Sequence, residues 1–250
     1  MPYTDNDGTR IHYKVEGSGP PLILQHGMFW DLEGWERWGY ANSLKRDFQL
    51  ILVDARGHGG SDKPHDPTAY TLSNHVADVL AVLDALEIPT AIYWGFSMGG
   101  WIGFGMGIMA ADSLKAAIIG GAHPYGRKLP DGSRLDGTNP DLFLERFFQR
   151  QGIDREQMGP AKIAEFVDND FQAIAAAQQD RQTLEASLAS IEKPVLLYVG
   201  ESNGGAAQVN QCATQMPSAE FFSLLGLNHP ESFYRSDLVL PHVLPFLLAQ

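Results

Sequence analysis

AIYWGFSMGGWIGFG, residues 91–105, is the stretch on which the reading of the fold turns. Its first six residues are apolar and rich in β-formers, and its second half is apolar, glycine-spaced text of helical character. Between them stands Ser97, with Gly95 and Gly99 on either side in the pattern G-x-S-x-G. A strand that passes directly into a helix can hold a serine on a sharp, strained turn, and flanking glycines remove the Cβ atoms that would block so tight a reversal. The hydroxyl then projects from the C-terminal edge of the sheet, beside a helix N-terminus whose free N–H groups favour developing negative charge. The pentapeptide alone is a weak pattern. Its position between strand and helix makes Ser97 a candidate nucleophile.

Outward from this stretch, short apolar runs alternate with helical text. Arg10 to Val15 follows an Asp7-Gly8 turn, and PLILQ (21–25), QLILVD (49–54), KAAIIG (115–120), PVLLYV (194–199) and AEFFSL (219–224) read as further strands. This alternation predicts the α/β class: a mostly parallel central sheet flanked by helices on both faces. Between strands, Leu72 to Leu86 places Val76, Val79, Leu80, Leu83 and Leu86 on one helical face, with Thr71 or Ser73 available as a cap. A last helix is expected over Ser232 to Leu248, kinked or divided at Pro241. Residues 124–191 break the pattern with PDLFLERFFQRQ and PAKIAEFVDNDFQAIAAAQQD, which predicts a helical lid inserted between core segments 1–123 and 192–250. Phe143, Phe147 and Phe148 form an aromatic stripe that either lines a cavity or packs on the core.

Composition bounds the function. The 250 residues carry a formal net charge of −12, which argues against a nucleic-acid backbone or an anionic membrane surface and favours a neutral or cationic small molecule. Cys212 is the only cysteine, so no internal disulfide is available, and MPYTDNDGTR lacks a basic segment followed by an apolar one; a cytoplasmic protein is expected. No apolar run reaches the length of a membrane span. Oligomeric state is left open.

Two further runs join GFSMG: PLILQHGMFW (21–30) and DARGHGGSD (54–62). With them the chain resembles the α/β-hydrolase fold family over nearly its whole length. The resemblance implies a His-Gly loop in which Met28, together with Met98 after the nucleophile, donates backbone N–H groups to an oxyanion. Phe29 and Trp30 in the same loop become candidate pocket residues. Asp54 and Arg56 are expected to brace a loop as a charge-assisted pair. The family order of serine, acid, histidine singles out His229, in LLGLNHPES, as general base. His123, following KAAIIG, should lie on the same sheet edge as Ser97 and contact substrate. A serine at the elbow sets the chain apart from the family's dehalogenases and epoxide hydrolases, which use aspartate. The implied activity is serine hydrolysis of an ester, lactone or thioester of a small, mostly apolar acid, with no metal or organic cofactor.

The acid departs from the family pattern. In YVGESNGG (198–205) the residues matching G-x-x-D are Gly200, Glu201, Ser202 and Asn203, so an amide stands where a carboxylate is expected. A neutral amide cannot stabilise an imidazolium and can favour the wrong tautomer of the histidine. Four readings are open at this point. Glu201 reaches His229 instead; another carboxylate such as Asp54 serves; Asn203 is a natural or engineered replacement that leaves a slow enzyme or a ligand-binding protein; or the Asn203-Gly204 pair deamidates to aspartate.

Overall fold

The computed structural model describes residues 2–129, 135–151, 166 and 168–250. Eight strands form one sheet: β1 (Tyr3–Asn6), β2 (Thr9–Glu16), β3 (Pro21–Gln25), β4 (Gln49–Val53), β5 (Ala91–Phe96), β6 (Leu114–Gly120), β7 (Val195–Gly200) and β8 (Ala219–Leu224), in the order β1-β2-β4-β3-β5-β6-β7-β8. β2 is antiparallel to β1 and β4, and every pair from β4 to β8 is parallel. The mostly parallel sheet expected from the sequence is therefore present, with β1 added. YTDN is short, polar and at the sheet edge, so it carries no apolar alternation to read; its pairing of Tyr3 with His12 comes from the Asp7-Gly8 hairpin.

The helices are α1 (Gly34–Arg37), α2 (Tyr40–Leu44), α3 (Leu72–Ala85), α4 (Met98–Met109), α5 (Pro140–Gln151), α6 (Phe171–Ala177), α7 (Ala206–Ala213), α8 (Glu231–Tyr234) and α9 (Ser236–Leu248). Strand residues alternate between two apolar layers. Tyr93, Ile119 and Leu197 face Val76, Val79, Ile102, Phe104 and Val209 of α3, α4 and α7. Trp94, Phe96 and Ile118 face Trp35, Tyr40, Phe233, Val239 and Val243 on the other side. Because the central strands are covered on both faces, they read as continuous apolar runs rather than alternating ones.

Local signals set several boundaries. Thr71 rather than Ser73 caps α3, its Oγ1 accepting from Asn74 N–H at 3.1 Å. The C-terminal helix is divided at Arg235, not at Pro241. Arg235 leaves helical geometry (φ −92°, ψ 61°) while its guanidinium grips Asp237, and Pro241 lies inside α9. Asp54 and Arg56 do not pair with each other. Asp54 accepts from Leu32 N–H (2.7 Å) and Gly60 N–H (2.8 Å) and meets His12 Nδ1 at 2.7 Å, whereas Arg56 grips Asp78.

Between β6 and β7 the described residues hold α5, α6, a 3-10 turn (Glu185–Ser190) and one antiparallel bridge, Arg127 to Arg181. Of the second stretch of helical text, residues 160–165 and 167 lie outside the described residues. Phe143 and Phe148 are buried with Phe29, Phe166, Phe171 and Ile174, so the aromatic stripe packs onto the loop after β3. Among the described residues no helix is long and apolar enough to cross a membrane.

Candidate active site

β5 ends at Phe96 and α4 begins at Met98, leaving Ser97 alone on the turn with φ 56° and ψ −106°. Positive φ is a strained conformation for a residue with a side chain, and it persists only where the surroundings enforce it. Here Ser97 N–H donates to Gly120 O at 2.7 Å, Trp101 N–H to Ser97 O at 3.0 Å, and Gly99 N–H to His26 O at 3.2 Å. A Cβ on Gly95 would lie 2.1 Å from Gly99 O, and one on Gly99 would lie 2.2 Å from Gln25 O. The two motif glycines thus let strand, helix and the β3 loop meet backbone to backbone. Gly99→Ala is expected to destabilise the fold by more than about 3 kcal/mol. An unchanged urea midpoint would contradict this account of the turn.

The β3 loop also approaches the serine closely: a Cβ on Gly27 would stand 3.2 Å from Ser97 Cβ. Met98 N–H is the first of α4, one of the helix's unpaired donors. The Met98 side chain is buried in the core against α3, and Met28, half-buried, receives Gln178 Nε2 at its sulfur at 3.5 Å. Neither methionine side chain lines the cavity beside Ser97.

His229 sits between β8 and α8. Its Nε2 is 2.9 Å from Ser97 Oγ, its Nδ1 is 2.8 Å from Asn203 Nδ2, and its ring lies 5.1 Å from that of Phe96. The orientation of the Asn203 amide follows from its other contact: Oδ1 accepts from Gly205 N–H at 2.9 Å, which leaves the NH₂ to face the imidazole. An NH₂ can only donate, so Nδ1 is the acceptor and the imidazole proton is on Nε2, pointing at Ser97. Burial pushes the imidazole down to about 4, so the ring is neutral at neutral pH. A serine, an imidazole and an amide stand in line, with the imidazole in the tautomer that donates to the serine.

The competing acids lie elsewhere. Glu201 is exposed and its Oε1 accepts from Ser223 Oγ at 2.7 Å, away from His229. Asp54 is buried beneath the β3 loop on His12 and Leu32 N–H. A cavity of about 220 Å³ adjoins Ser97 and is lined by His123, Asn203, His229, Tyr125, Arg127 and Arg181, among others. Phe29 and Trp30 are not part of it. Both border a separate cavity of about 710 Å³ that reaches Asp168 and Asp170, where Ser97 and His229 are absent. The cause is packing: Trp30 stacks on Phe233 at 5.0 Å and Phe29 meets Phe147 at 4.6 Å. Tyr125, Arg127 and Arg181 escaped the sequence reading because no motif marks them. The bridge that pairs residues 127 and 181 across the end of β6 brings them to the site.

Comparison with known proteins places the fold. Residues 20–181 match the family model described as alpha/beta hydrolase fold. A hydrolase from Pseudomonas aeruginosa PA01 superposes with a TM-score of 0.85 at 24% identity, covering 98% of this chain and 97% of that one. The enol-lactonase from Burkholderia xenovorans LB400 superposes with a TM-score of 0.82 at 26% identity, covering 99% of this chain and all (100%) of the other. Bifunctional epoxide hydrolase 2 of Sus scrofa is 25% identical over 177 residues, 69% of this chain but 30% of that protein, so the chain spans well under two thirds of this curated relative. With the sheet order, the strained serine between β5 and α4 and the match over residues 20–181, the chain belongs to the α/β hydrolase fold family.

Proposed function

We propose that the protein is a serine hydrolase of a small carboxylic ester, lactone or thioester, working at low turnover. The observation that carries this reading is the 2.9 Å contact between Ser97 Oγ and His229 Nε2 on a strained strand-to-helix turn. Ser97 attacks the carbonyl carbon and forms the acyl-enzyme, its proton passing to the imidazole and on to the leaving oxygen or sulfur. Water, deprotonated by His229, then cleaves the acyl ester, releasing the acid and returning the proton to Ser97. The Met28 and Met98 N–H groups hold the oxyanion, and the described residues between β6 and β7 serve as the lid over the core. Asn203 orients His229 through Nδ1.

The low turnover follows from the tautomer. With its proton on Nε2, His229 must first lose the Asn203 contact and shift that proton to Nδ1 before it can accept from Ser97. The same observation supports a second reading, a ligand-binding protein of this fold that does not turn over. Hydrolysis of short p-nitrophenyl esters and labelling by a fluorophosphonate separate the two. Slow hydrolysis abolished by Ser97→Ala, a further loss of about 10²-fold because triad losses do not add, is the expected result. No hydrolysis and no labelling of the unaltered protein would sink the enzyme reading.

A further inference from the structure

The Ser97 cavity has the opposite electrostatic character to the chain that surrounds it. The whole protein carries −12, yet the described residues lining this cavity include two arginines, 127 and 181, and no aspartate or glutamate. The net charge had pointed to a neutral or cationic substrate. It sums the entire surface, whereas a ligand in a low-dielectric cleft responds to the few charges on the walls.

Arg181 is the more telling of the two. Residues 127 and 181 exchange backbone hydrogen bonds, Arg127 N–H to Arg181 O at 2.9 Å and Arg181 N–H to Arg127 O at 2.8 Å, so both are fixed at the rim. The Arg181 guanidinium lies 4.5 Å from the Trp101 ring centroid, over the first turn of α4. That face-on packing holds the planar fork without using its N–H donors. Burial and the neighbouring Arg127 charge push the guanidinium down to about 9, and no carboxylate among the described residues offsets them. Nearby, His123 Nδ1 is buried without a hydrogen-bond partner, and burial together with both arginines lowers its imidazole, keeping it neutral. A charged fork with no counter-ion among the described residues, beside an unsatisfied imidazole nitrogen, matches an anionic oxygen group on the ligand.

We propose that Arg181, with Arg127 and His123 beside it, forms a carboxylate subsite, so that the substrate is an ester or lactone carrying a second, free carboxylate. This rests on the hydrolase reading for the reaction, but the anion subsite stands on its own geometry. The cavity, at about 220 Å³, is below the roughly 300–1,000 Å³ of drug-sized pockets, which limits the acyl part to a short chain. A half-ester of a short dicarboxylic acid is the simplest member of the class.

Calorimetric titration tests the subsite, with monomethyl glutarate as the anionic probe and dimethyl glutarate as its neutral counterpart. The monoanion is expected to bind about 10- to 100-fold more tightly than the diester, and Arg181→Gln to remove that preference while Arg181→Lys retains part of it. Equal binding of the two probes, or a preference untouched by Arg181→Gln, overturns the proposal. A circular dichroism spectrum unchanged in the variants excludes loss of fold as the cause. Hydrolysis of the same esters is measured in parallel. Selective binding of the monoanion without turnover supports the subsite and defeats the hydrolase reading. Turnover without preference for the monoanion defeats the subsite and leaves that reading intact.

Discussion

Asn203→Asp is expected to raise turnover of a p-nitrophenyl ester by about 10³- to 10⁴-fold, the size of the effect seen in reverse when a serine-protease triad loses its carboxylate. One aspartate oxygen replaces Oδ1 as acceptor for Gly205 N–H, 2.9 Å away in the Asn203 protein. The other faces His229 Nδ1 and can only accept, so the imidazole proton moves to Nδ1 and the Nε2 lone pair turns to Ser97. The negative charge also stabilises the imidazolium formed when the serine proton is taken. A pH profile separates the two effects. With Asn203 the imidazole titrates at about 4, so the rate is flat above about pH 5. With aspartate the imidazolium is favoured, the histidine pKa rises, and the acid limb of the profile moves upward in pH. A gain in kcat with an upward-shifted limb is the expected pattern; no gain would mean that the amide does not control the tautomer.

The second large effect lies in the core. Arg56 and Asp78 are buried on both sides, bonded twice, Nε to Oδ2 at 2.7 Å and Nη2 to Oδ1 at 2.6 Å. Burial lifts the Asp78 carboxyl above its usual range despite the guanidinium, so desolvation outweighs the attraction. Removing one partner is therefore severe: Asp78→Ala strands a buried guanidinium and leaves Asn6 Nδ2, which donates to Asp78 Oδ1 at 2.8 Å, with only its long contact to Asn74 O at 3.5 Å. A loss of about 3–5 kcal/mol is expected by urea unfolding at neutral pH. The double change Arg56→Met with Asp78→Leu should recover most of that loss, since no charge is left inside. A double variant as unstable as Asp78→Ala would show that the pair itself, rather than the uncompensated charge, carries the stability. Arg56 also donates to Ala69 O at 2.6 Å, so Asp78→Ala loosens the 54–70 segment on which the β3 loop rests.

The sheet was legible because its central strands are buried on both faces and so appear as unbroken apolar runs. β1 was not, because an edge strand of YTDN has no buried face to pattern it. Leu72–Ala85 could be placed almost to the residue, since one apolar stripe and one threonine cap define it. The last helix could not: the break at Arg235 depends on a grip on Asp237 and on packing against the sheet, and neither leaves a trace in periodicity.

At the site, the sequence alone determined the serine between strand and helix and the histidine in the final loop, because backbone geometry demands glycines at fixed spacing around the one and chain order isolates the other. It also showed that Asn203 stands where a carboxylate is expected. Only the tertiary structure decided what faces His229. Glu201 is two residues away in sequence but points to Ser223, while Gly205 N–H fixes the Asn203 amide and with it the imidazole tautomer. The character of the cavity was likewise hidden, since Arg127 and Arg181 are separated by more than fifty residues and meet through a single backbone bridge. Hydrogen-bond direction and local charge depend on which groups approach within a few ångströms, and that information belongs to the folded chain.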